Sequence, residues 1–135
     1  MKINGVLLNF NKVIKNDHIF PSSCDISIPE KIPVITYSRS PDRIDDTIGT
    51  AEVYREDEKL ICNATINDRM SKELLKCLPN MGLGGYYVII KKHTNEDGIR
   101  VIDSANLRCC IVTPRPADEE CKFVIKEEEM NEQSK

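Results

Sequence analysis

The chain has no tryptophan and only two histidines, His18 and His93. Chemistry built on several imidazoles therefore has little to draw on. A zinc site needs grouped cysteine and histidine ligands, and neither C-x-x-C nor H-x-x-x-H spacing occurs. Long apolar runs are also missing, since no window approaches the ~18 residues of a membrane span. The short apolar run near the start is broken by Asn9, Asn11 and Lys12, with no small-residue cleavage site behind it. No signal peptide is expected from such a pattern. No sign of charge dominates: the net charge is −3, and the lysines and arginines are scattered rather than striped. That disfavours direct nucleic-acid binding.

What is present suits one soluble domain. A length of 135 residues supports a single core, and 40% hydrophobic with 30% charged residues is ordinary for a globular protein. We divide the chain into a domain over 1–126 and an acidic tail over 127–135, EEEMNEQSK without a packing pattern. Six cysteines (Cys24, Cys62, Cys77, Cys109, Cys110 and Cys121) could frame disulfides. Without a signal peptide they are expected to stay free, and LICNATI, LLKCLP and LRCCIV read as apolar surroundings for buried thiols.

Periodicity then places the elements. INGVLLNF alternates only partly but is rich in strand formers, and reads as a first strand. Three prolines in HIFPSSCDISIPEKIPVITY forbid a long helix and leave extended segments, with Pro33 at a strand's first residue. SRSPDRIDDT is a polar loop. IGTAEVYRED and LICNATI read as a hairpin with a moderately long turn over REDEK, with Leu60, Cys62, Ala64 and Ile66 on one face. In NDRMSKELLKCLPN, Met70, Leu74, Leu75 and Leu78 recur at helical spacing, and Asn67 or Asp68 can cap that helix before Pro79 stops it. GLGGYYVIIKKH is a tight glycine turn, needing positive φ, that leads into a strand. IRVIDSANLRCCIVTP supplies one or two strands and KFVIK a short last one. The sum is a mixed α/β fold, mostly antiparallel β, with a small barrel and one flanking helix.

No segment offers a complete catalytic constellation. Gly82-Leu83-Gly84-Gly85 precedes strand formers, not the helix whose amides would cradle a phosphate. His93 stands beside Lys91 and Lys92, and His18 follows Asn16-Asp17, so both read as solvated. Cys109 and Cys110 would face opposite sides of a strand, with Arg108 as thin support for a reactive thiolate. Asp42, Asp45 and Asp46 lack the spacing of an EF-hand. No metal and no cofactor is expected.

Three segments, IPVITYSRSPDRIDDTIGTAEVY, GLGGYYVIIKKH and ANLRCCIVTPRPAD, resemble in order and spacing the landmarks of the tailed-phage prohead (capsid maturation) protease family. GVLLNFN at 5–11 is similar to that family's opening strand, so the resemblance covers roughly residues 3 to 118. It implies the prohead protease, herpesvirus-assemblin-like fold, an antiparallel β-barrel with a flanking helix. Carried over position by position, the chemistry is vacated. Gly84 stands where the family has its nucleophilic serine. The histidine position, near Ser38, holds none, and none occurs from Ile19 to Lys92. Arg108 lies near the expected acid, and Cys110 near the family's second serine. A glycine offers no nucleophile, and without the histidine Ser-His acyl transfer has no base.

The resemblance therefore implies a non-catalytic phage structural protein. It would be a decoration or cement protein whose partner is the major capsid protein, located on the virion and, during assembly, in the host cytoplasm. No membrane partner is expected. A strand edge once used for substrate would be the docking surface, and Tyr54, Tyr86 and Tyr87, where exposed, are the candidate contacts. The alternatives are a maturation protease using a displaced residue such as Cys110 or Ser38, and an assembly factor that leaves before maturity.

Overall fold

Three prolines and one very long strand organise the sheet. The computed structural model describes residues 1–14, 17–36, 47–67, 69, 72–73, 76 and 81–126. The strands are β1 (Lys2–Asn9), β2 (Val13–Ile14), β3 (His18–Ile19), β4 (Asp25–Ser27), β5 (Ile32–Thr36), β6 (Gly49–Glu56), β7 (Lys59–Ile66), β8 (Gly82–Thr94), β9 (Arg100–Thr113) and β10 (Phe123–Lys126). They form one sheet in the order β10-β1-β7-β6-β5-β9-β3-β2, with β4 and β8 also paired to β9. The sheet curls into a half-barrel. Its pairings are antiparallel except where β3, β4 and β5 run parallel to β9. The mostly antiparallel β expectation is met.

One edge of β9 takes β8 from Thr113 back to Arg100. Its other edge takes β3, β4 and β5 in succession, at residues 100–101, 104–106 and 110–112. Pro21 falls between β3 and β4, and Pro29 between β4 and β5, which cuts one extended run into three short strands. Pro33 is the second residue of β5, not the first. It pairs only with Thr50 on β6, because β9 begins pairing at Val34, so its missing N–H breaks no bond on that side.

Alternation fills the interior. Leu60, Cys62, Ala64 and Ile66 on β7 are all buried, in one cluster with Ala51, Val34, Ile102, Leu107 and Val112. β1 has a register shift between Val6 and Leu8, so Leu7 is an extra residue. Both Leu7 and Leu8 are buried, and the bulge explains why the sequence there alternates only in part. Ile35 and Cys109 are fully buried yet lie outside the main cluster, on the strand positions that alternate with Val34 and Cys110. The β5–β9 pair is thus covered on both faces.

Two readings need correction. Gly82, Gly84 and Gly85 belong to β8 and none has positive φ; the glycine that does is Gly98. The β6–β7 turn is short, just Asp57 and Glu58, because Asp57 adopts the left-handed region (φ 56°) that aspartate tolerates. Of the one or two strands expected of IRVIDSANLRCCIVTP, one forms, β9. Between Asn67 and Met81, Arg69, Lys72, Glu73 and Lys76 have helical backbone, but no helix is delimited among the described residues. The helix-spaced Met70, Leu74, Leu75 and Leu78 lie outside the described residues. So do Cys77, Asp42, Asp45 and Asp46 of the polar loop, and the tail over 127–135.

Candidate functional site

The start of β8 meets β1 along a seam that is stitched at one end. Lys122 O accepts from Val6 N–H, Gly82 bridges Lys122, and Leu83 N–H donates to Cys121 O at 2.9 Å. Beyond this stitch β1 and β8 have no ladder between them. A cavity of about 120 Å³ lies there, lined by Leu7, Phe20, Leu83, Gly84, Gly85 and Tyr87 among others.

Space is tight for a side chain at Gly82 and Gly85, on either side of Gly84, and not at Gly84 itself. A Cβ at Gly85 would come within 2.6 Å of the Tyr87 ring, which folds back over it and packs on Phe20 with centroids 4.9 Å apart. A Cβ at Gly84 would meet nothing within 4 Å. A serine hydroxyl would fit at that position, and the chain does not supply one. Gly84 pairs with Ile111 and Gly85 with Cys110, so the glycine cluster and the adjacent cysteines share neighbouring strands.

The thiols here are poor nucleophiles. Cys110 is fully buried with its Sγ 3.8 Å from Cys62 Sγ. That hydrogen bond, with burial, pushes its pKa well up. Burial and the nearby charge of Asp118 push Cys121 up to about 12. Burial, with smaller contributions from Asp103 and Asp25, takes Cys24 up to about 11. A thiolate needs the opposite environment, a cation or helix N-terminus at hand. The Tyr87 hydroxyl is buried without a hydrogen-bond partner, and desolvation raises its pKa strongly.

The remaining sequence candidates disperse. Arg108 is exposed as the extra residue of a bulge, since Tyr86 pairs with Cys109 and Tyr87 with Leu107. A guanidinium offers donors and no acceptor, so it cannot replace an orienting carboxylate. His93 lies nine residues along β8 from Gly84, about 30 Å at ~3.4 Å per residue. It is not simply solvated: its Nδ1 is 2.8 Å from Asp103 Oδ2. His18 lies in β3, half-buried, opposite Arg100 at the same distant end. Ser38 lies outside the described residues. Tyr54 and Tyr86 are exposed at 45% and 37%, but β5 and β9 separate their strands. Tyr87 fails the condition of exposure, because its hydroxyl is buried.

One organising residue escaped the sequence reading. Asp118 is buried and accepts from Asn9 Nδ2 (2.8 Å), Lys12 Nζ (2.7 Å) and the Glu120 N–H. Burial alone would raise its pKa, but these hydrogen bonds outweigh it and hold the carboxyl below its ordinary value. The contact ties the 114–122 segment to the β1–β2 turn, beside the seam. Its partners lie more than a hundred residues away in sequence, so no local signal announces it.

A wider hollow, about 440 Å³, lies elsewhere, lined by Lys2, Lys31, Thr50, Glu52, Asn63 and Lys126 among others. It carries no cysteine, histidine or serine. Among the described residues, no group of three or more His, Cys, Asp or Glu could hold a metal ion. No described helix is long and apolar enough to cross a membrane. What the seam and β8 offer is a surface: an open glycine, a small apolar cavity and a strand edge. No family model matches this chain, and neither does any curated protein or solved structure.

Proposed function

We propose that this chain is a non-catalytic phage structural protein that binds the capsid as a decoration or cement protein, on a prohead-protease-like, herpesvirus-assemblin-like barrel. One observation carries the reading. The first of the three segments that resemble the protease landmarks is far in sequence from the other two, yet its strand β5 pairs with β9, the hairpin partner of β8. A chance match over β5 would have no reason to fall beside the other two. At that junction Gly84 faces open space without a hydroxyl, and the neighbouring Cys110 thiol points into the core. Both features suit a surface that holds a partner without turning it over. The partner in this reading is the major capsid protein.

The test is to mix purified protein with assembled heads of the phage that encodes it and sediment the mixture. Saturable co-sedimentation, in fixed ratio to the coat subunit, is expected. Absence of the protein from the head pellet overturns the reading. The protease alternative through Cys110 has the burial of that thiol against it. Mass spectrometry of mature particles separates a decoration protein, which stays, from an assembly factor, which leaves.

A further inference from the structure

The β8–β9 hairpin outruns the core from which it starts. From Ile89 to Thr94 every residue of β8 is exposed, while β9 beside it is covered on its other edge by β3 and β4. β8 is the last described strand at this side of the sheet. Past Leu83, no described residue pairs with its outer edge, so the edge from Gly84 to Thr94 lacks a ladder partner. Because the N–H and C=O groups of an edge template another strand, natural edges are kept short or blunted by bulges and lysines. The bulges and lysines here disfavour a neutral or basic strand without disfavouring an acidic one.

This edge is long and carries a specific pattern. Tyr86, Ile89 and Ile90 are exposed, Ile90 at 60% as the extra residue of a bulge. Lys91 and Lys92 follow, and no ion pair among the described residues includes either one. The nearest carboxylate along the hairpin, Asp103, is occupied by His93. As successive strand residues, the two lysines place one ammonium on each face. A strand laid beside them would therefore present two adjacent residues opposite the pair, and carboxylates there would be favoured.

We propose that the outer edge of β8, Gly84–Thr94, accepts an added strand from a partner protein, whose extended segment carries two adjacent carboxylates flanked by apolar residues. The carboxylates sit opposite Lys91 and Lys92, and the apolar residues cover Tyr86, Ile89 and Ile90. A second copy of this chain is the poorer occupant. Two-fold pairing about Ile90 would bring four lysines within two residues of the axis, roughly one Debye length (~8 Å). The inference rests on the binding role above only for the partner's identity, the capsid protein.

The probe is a labelled nonapeptide rich in Thr and Val with a central Glu-Glu pair, alongside Gln-Gln and Lys-Lys versions. By fluorescence anisotropy the Glu-Glu peptide should bind roughly fivefold more tightly than the Gln-Gln one, as expected for two opposite-charge cross-strand pairs. The double variant Lys91→Glu with Lys92→Glu should reverse the order and prefer Lys-Lys. Amide exchange should slow over 84–94 when the peptide binds. Equal binding of all three peptides, or protection confined elsewhere, overturns the proposal. So does a concentration-dependent dimer in gel filtration that the double variant alters, which would make a second copy the occupant. Heads that bind wild type and the double variant equally leave the capsid role intact and overturn the edge. Selective peptide binding without head binding keeps the edge and removes the capsid as partner.

Discussion

The two halves of the β8–β9 hairpin use the same ladder in opposite circumstances. In the near half, Gly82–Tyr87 against Leu107–Thr113, β8 holds three glycines, yet Leu83, Leu107, Cys110 and Val112 are buried. In the far half, β8 carries Val88, Ile89 and Ile90, the better strand formers, and from Ile89 onward it is exposed. Strand propensity thus describes how well a residue fits a pleat, and says little about whether anything packs on it. Gly82 and Gly85 mark where other backbone or an aromatic ring comes close. The branched residues mark where the strand must hold its shape without a core.

Substitutions can break this contrast, the strongest first. Leu83→Ala or Leu107→Ala should cost about 2–5 kcal/mol in urea unfolding, while Ile90→Ala should stay within ~0.5 kcal/mol. Comparable losses would mean that the far half is packed after all. Gly82→Ala should cost about 1–3 kcal/mol, because its Cβ would come 2.6 Å from Cys121 O, a backbone atom. Gly84→Ser meets no neighbour and should fold with near wild-type stability. In our reading it should not cleave coat-protein segments, since a hydroxyl alone lacks a base.

The paired carboxylates sharpen the same contrast at lower energy. Asp118→Asn, at the buried end, should cost about 1 kcal/mol at neutral pH, allowing for the partly exposed Lys12. Because folding lowers the Asp118 pKa, its contribution is complete above the ordinary aspartate value (~3.9). It then disappears as pH falls through the folded-state value. The wild-type and variant stability curves should therefore converge in acid. His93→Ala, at the exposed end, should change stability by less than ~0.5 kcal/mol despite its 2.8 Å contact with Asp103.

Legibility followed locality. β7 was readable because its burial repeats every second residue, and β10 because KFVIK is short and bounded. The glycines of β8 were misread as a turn because close approach and positive φ leave the same mark in a sequence. The β6–β7 turn was read too long because Asp57-Glu58 lacks the glycine that usually announces a tight hairpin. Asp118 was invisible because its meaning depends on Asn9 and Lys12. The role of β9 as the strand that gathers three short ones was hidden too, since parallel pairing leaves no turn signal between partners. Of the site, Gly84 and Cys110 are singled out in the sequence only through family resemblance, and their lying on paired strands comes from the fold. The burial of Tyr87 and the free edge of β8 required the fold.

The position of β9 also sets a schedule for synthesis. β3, β4 and β5 leave the ribosome early, but the strand they lie against is Arg100–Thr113. β1 waits longer still for one of its partners, β10 at Phe123–Lys126. Loop-closure entropy must be overcome before such distant contacts stabilise anything, so folding is expected on the slow, millisecond-to-second side for a domain of this size. Strands β1, β7, β6 and β5 can pair with one another early, but the outer edges of β1 and β5 stay open until the last quarter of the chain appears. Such open edges favour association.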